Sequence, residues 1–129
     1  MVTSASVSIL RVQAQTMFGQ LVADLLKEGY EQGMAYRIAI TQAEEWAVSK
    51  RTTAALTSVS NYHVIPHPNG WAVRQPMSKA SCFFFKTHDE AVQFGQELAQ
   101  SSNSTLVIHD SRGDFESRKV YLKAFAKVN

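Results

Sequence analysis

Between residues 62 and 121, two strand-turn-strand patterns flank one capped helix, with hardly a residue left over. Tyr62-His63-Val64-Ile65-Pro66-His67 alternates as a strand does. Pro68-Asn69-Gly70 supplies the turn, because asparagine and glycine tolerate the positive φ of tight hairpins. Trp71-Ala72-Val73-Arg74-Gln75 returns, with Trp71 and Val73 on one face and Ala72 and Arg74 on the other. Pro66 lacks a backbone donor and suits an edge or a strand end. Residues 80–85 form a third strand, whose three successive phenylalanines are easiest to satisfy if both faces are partly covered.

Thr87-His88-Asp89-Glu90 fits a capping box, in which the Thr87 hydroxyl accepts from the Glu90 amide and the Glu90 carboxylate reaches back to the Thr87 amide. The helix it opens buries Ala91, Phe94, Gly95 and Leu98, and Ser101-Ser102-Asn103 releases the chain. Thr105-Leu106-Val107-Ile108-His109 is a fourth strand, Asp110-Ser111-Arg112-Gly113 a turn, and 114–121 the last strand. Beyond it, Phe125 and Val128 allow one helical turn or a loose tail.

The first half reads differently. Val7, Leu10, Ala14, Met17, Phe18, Leu21, Leu25 and Leu26 follow steps of three and four, the spacing of one helix face. Gly29 is the expected stop of this first helix. A second amphipathic run has Met34, Ala35, Ile38, Ala39, Ala43, Trp46 and Ala47 on its apolar side. The short link between the runs favours an antiparallel hairpin. Two helices alone cannot surround a core, so this stripe must pack on the second half or on another copy of the chain. Residues 49–60, rich in serine and threonine, read as a linker. The expected organisation is a helical hairpin at 1–50, a linker at 51–61 and a sheet-plus-helix domain at 62–129. The fold class is α+β: a helical hairpin followed by a ββ(β)αββ antiparallel sheet with one helix on a face.

In order, Tyr62-His63-Val64-Ile65-Pro66, Asn69-Gly70-Trp71-Ala72-Val73, Thr87-x-x-Glu90-Ala91 and Leu106-Val107-Ile108-His109 before Gly113 resemble the small bacterial YdaT-like family. Its shared domain is one of unknown function. Leu26-Lys27-Glu28-Gly29-Tyr30-Glu31-Gln32-Gly33, Ala35, Ile38-Ala39 and Ala43-Glu44-Glu45-Trp46-Ala47 resemble the N-terminal extension of some members. The chain departs from the family at Pro76-Met77-Ser78-Lys79, where a more charged turn with glycine is usual. It departs again at Ser111-Arg112, where acidic residues are commoner. The resemblance implies a sheet-and-helix domain in a small intracellular bacterial protein, and no substrate.

Chemistry is sparse. His63 and His67 share a strand face but stand roughly 13 Å apart, too far to grip one ion. His63 and His109 could meet if their strands are neighbours, yet two histidines without a carboxylate or thiol are more often structural. Cys82, alone and set among aromatics, reads as core filling and excludes an intrachain disulfide. Asp110 and Asp114 bracket a turn, where aspartate usually bonds its own backbone. No catalytic residue, cofactor or metal site is expected.

The net charge is +2, with acids in slight excess over residues 1–50 and bases over 51–129. No segment approaches the ~18 consecutive apolar residues of a membrane span, and a cytoplasmic setting is the default. The expected function is that of a non-enzymatic accessory protein acting by self-association or a protein partner, through its N-terminal helices. The alternative is nucleic-acid binding on the second half, with Arg74, Lys79, Arg118 and Lys119 on phosphates and Trp71 stacking on bases.

Overall fold

The computed structural model describes residues 4–52, 61–76 and 82–121, with side chains described from residue 12 to 48 in the first of these stretches. The chain divides into two compact units, residues 1–59 and 60–129.

The first unit is the expected hairpin: α1 spans Ser4–Lys27 and α2 spans Gln32–Thr52. Gly29 ends α1 at φ +98°, a left-handed conformation that a side chain would resist. The Gly29 amide donates to the Leu26 carbonyl and the Tyr30 amide to that of Leu25, both at 3.1 Å, which satisfies carbonyls the helix leaves open. At the other side of the turn the Glu31 carboxylate accepts from the Met34 amide at 3.2 Å, serving the new helix as a cap. Leu21, Val22 and Leu25 on α1 are buried, as are Ala35, Ile38, Ala39 and Ala43 on α2. Leu26, counted on the stripe with Leu25, is exposed, because successive helical residues point about 100° apart. The expected linker falls mostly on residues 53–60, outside the described residues; α2 continues to Thr52 and the next strand starts at Asn61.

The second unit runs β1 (Asn61–His67), β2 (Gly70–Arg74), β3 (Cys82–Phe85), α3 (His88–Ser101), β4 (Thr105–His109) and β5 (Phe115–Val120). Its five strands lie in the order β3-β2-β1-β4-β5. The expectation of an antiparallel sheet holds for three ladders and needs correcting for the fourth: β1 and β4 pair in parallel, so the sheet is mixed. The cause is the helix. After the β1-β2-β3 meander, α3 carries the chain back, so β4 sets out in the same direction as β1 and takes the open side of that strand.

Register decides the faces. Val64 lies opposite Val73 and Ile108, and Tyr62 opposite Leu106, so these share the side covered by α3. Val64, Val73, Leu106 and Ile108 form a buried cluster with Ala91 and Ala99 of the helix. Gly95 permits the close approach: a Cβ there would meet Leu106 Cδ1 at 2.8 Å and Val64 Cγ2 at 3.4 Å. The capping box is present in full, with Glu90 N–H to Thr87 Oγ1 at 3.2 Å and Thr87 N–H to Glu90 Oε1 at 3.3 Å.

Gly70, in the hairpin turn, is fixed twice over. Its φ is +141°, and a Cβ would collide with the Phe85 carbonyl oxygen of β3. The phenylalanine run is only half covered, contrary to expectation: Phe85 and Phe83 meet Phe94 of α3, whereas Phe84 on the other face is 59% exposed. β3 is the last strand of the sheet, with no further strand beyond it among the described residues to extend that cover. Residues 80 and 81 of the expected third strand, and the tail with Phe125 and Val128, lie outside the described residues.

Candidate functional site

The chemically distinctive feature of the described residues is a buried pair of histidines. His63 sits on β1 opposite Arg74 of β2 and Val107 of β4, on the face away from α3. His109 ends β4 two positions beyond Val107 and therefore shares that face. Both rings are fully buried, and His63 Nδ1 lies 2.8 Å from His109 Nε2. His109 Nδ1 in turn lies 2.9 Å from the carbonyl oxygen of Gly113. The turn that brings this carbonyl into place is held by Asp110, whose Oδ1 accepts from the amides of Arg112 at 2.9 Å and Asp114 at 3.0 Å. A β-bulge between Ile108 and His109 adjusts the register at the same point.

The partners dictate the tautomers. A carbonyl only accepts, so His109 carries a proton on Nδ1, and in the neutral pair its Nε2 offers a lone pair. His63 must then donate from Nδ1, which leaves its Nε2 as a lone pair. That atom is buried and has no hydrogen-bond partner. Burial, and secondarily the neighbouring His109, holds the His63 pKa well below the usual imidazole value.

The chain of groups resembles a base with its orienter, but it ends on a neutral carbonyl. A carbonyl fixes the ring yet supplies no charge to stabilise an imidazolium, which is what a buried carboxylate does in a catalytic triad. Among the described residues, no group of three His, Cys, Asp or Glu side chains is placed to hold a metal ion. The pair suits rigid registration of β1 against β4, including the turn into β5.

The other candidates are dispersed. Trp71 lies on the α3 side, where its ring meets His88 edge-on at 4.6 Å. Arg74 is buried on the opposite face. Arg118 and Lys119 are exposed on β5, with β4 and β1 between them and β2. They too point to opposite faces, Arg118 with Val107 and Lys119 with Leu106, and Arg118 lies over the Phe115 ring at 5.7 Å. Lys79 is outside the described residues. Cys82 is half-buried on β3, and His67, remote from His63, packs against Phe84 at 4.7 Å.

The His63–His109 contact was open to sequence reasoning only as a conditional. Nothing in their spacing says that β1 and β4 are neighbours. The usable signal was the unbroken apolar run of β4, every residue of which is buried, as befits a strand at the middle of a sheet.

Fold and site together define a small α+β domain in which one helix covers a five-stranded mixed sheet and a buried imidazole pair ties its centre. Residues 62–121, almost the whole second unit, match the family described as "Uncharacterized protein conserved in bacteria (DUF2188)". The chain is also 28% identical to the "Uncharacterized protein YdaT" of Bacillus subtilis (strain 168), across 73% of this chain and 77% of that protein. No solved structure matches the chain.

Proposed function

We propose that this chain is a non-enzymatic bacterial accessory protein of the cytoplasm, working by contact with a protein partner or with further copies of itself. The observation that carries this reading is where its apolar side chains lie. On α2, Tyr36 and Ile40 are 47% and 49% exposed, one helical turn apart, with Val12 of α1 also exposed. The second unit exposes Phe84 at one edge of its sheet and Val120 at the other. Large apolar groups gathered on a helix face are costly to leave in water and commonly mark interaction surfaces. In the interior, the His63–His109 contact and the bond from His109 to the Gly113 carbonyl join β1, β4 and the turn into β5. No helix of the described residues is long and apolar enough to cross a membrane.

The alternative, a nucleic-acid binder, draws support from Arg118 and Lys119, both exposed on β5 although on opposite faces. It draws less from Trp71 and Arg74, which face opposite sides of the sheet and are enclosed to different degrees. Light scattering across a concentration series, with a salt-dependent titration of mixed single- and double-stranded DNA and RNA, separates the readings. The proposal expects assembly or partner capture and no binding that weakens steeply with salt. A particle that stays monomeric, captures no protein and binds nucleic acid with a steep salt slope would reverse it.

A further inference from the structure

We propose that the two edges of the five-stranded sheet are complementary, so that β5 of one copy adds to β3 of the next. This rests on the interaction reading above and names the surface and the partner, a second copy of this chain. At the β3 edge, Phe85 and Phe94 floor a groove of ≈ 260 Å³ rimmed by Glu90, Gln93 and Glu97. The ring of Phe83 lies beside the groove, 4.8 Å from that of Phe94. The groove is smaller than the roughly 300–1,000 Å³ of ordinary ligand clefts, and suits a long side chain from an added strand.

The other edge carries such a side chain. Lys119 is exposed on β5 and, opposite Leu106, stands on the α3 side of the sheet. Within the sheet, β3 runs with β1 and β4 while β5 runs against β4. A neighbouring copy in the same orientation therefore presents β5 antiparallel to β3, with both helices on one side. Parity then lets Lys119 face Phe83 or Phe85, because a one-residue slip would put it on the wrong side.

Charge selects the first of these. With Lys119 opposite Phe83, Arg118 falls over the exposed ring of Phe84 and Val120 opposite Cys82. Glu97 stands one helical turn beyond Phe94, whose ring meets both Phe83 and Phe85, so in this contact Lys119 comes within its reach. With Lys119 opposite Phe85, Arg118 would face Lys86, a like-charge pair that is unfavourable. Charge also disfavours the symmetric alternatives. β3 against β3 would bring two Glu90–Glu97 rims together, and β5 against β5 would bring two Arg118-Lys119 pairs together. The contact is thus head-to-tail, and closes as a ring or grows as a chain according to the rotation between copies.

Sedimentation velocity across a wide concentration range tests this with the full chain and three variants. Wild type is expected to gain mass with concentration. Lys119→Glu and Glu97→Lys, each an exposed substitution, should weaken association by about tenfold or more. The double variant Glu97→Lys/Lys119→Glu, and an equimolar mixture of the two single variants, should recover it. Circular dichroism confirms that each variant is folded. Assembly that ignores these charges overturns the β3–β5 contact while leaving self-association by another surface. A wild type that is monomeric throughout but binds an extended basic peptide at this groove overturns the second copy as occupant. A monomer that binds no protein at all removes the interaction reading with it.

Discussion

His63 is a neutral base kept from water, and that has a direction. In the unfolded chain an imidazole takes up a proton near pH 6.5, while in the folded protein burial and His109 resist it. The unfolded form therefore gains protons first as pH falls. Stability due to neutral His63 is complete above about pH 6.5 and is lost on acidification, at up to about 1.4 kcal/mol per pH unit for one such group. Urea melts between pH 5 and 8 should show this slope, and His63→Leu should make it shallower. The same substitution removes the contact between His63 and His109, so the plateau near pH 8 should drop by about 1–3 kcal/mol. Parallel slopes for the two proteins would show that His63 does not govern the acid limb. Gly70 acts at the same scale. Gly70→Ala must strain a φ of +141° and push on the Phe85 carbonyl oxygen, so a loss of about 3 kcal/mol or more is expected in the same melts.

For the individual elements, α3 shows how far local rules reach. Its start was legible because a capping box is written in four consecutive residues, and both of its hydrogen bonds are present. Thr87→Ala should cost about 1 kcal/mol, and Thr87→Ser should recover most of it. Equal stabilities for the alanine and serine variants would mean that the cap contributes little. The Gly29 stop, the Asn69-Gly70 turn and the Asp110 turn were legible for the same reason: each is a short-range conflict that few residues can resolve. The edge strand β3 was read less well. Its three phenylalanines suggested cover on both sides, but sequence pattern cannot tell a central strand from one whose outer neighbour is missing. Gly95 is a further case. Its place on the buried face of α3 was foreseen, but the 2.8 Å approach of Leu106 Cδ1, which a side chain there would have to displace, depends on the helix's distance from the sheet.

For the whole molecule, what sequence could not supply was strand order. All five strands are legible in the sequence, but the parallel contact between β1 and β4 joins segments separated by β2, β3 and α3, and no local signal records it. The histidine pair depends on that one contact, which is why the site could be stated only as a condition. The α+β class needed no strand order, since alternating strand patterns around one capped helix already imply a covered sheet.

The inserted position of β4 also says something about how the protein can be made. β1 is a middle strand in the finished sheet, yet until residues 105–109 arrive it is an outermost one, its hydrogen-bonding groups and His63 lacking their permanent neighbours. A product that stops at Ser102 would hold the meander and the helix without the strand that seals them. Such a fragment should melt gradually and bind a hydrophobic dye, whereas the full chain should melt in one sharp step for this unit. Synthesis that stalls in the Ser102–Ser104 loop would thus release a sheet open at its own midline, at the place where the complete protein is most tightly closed.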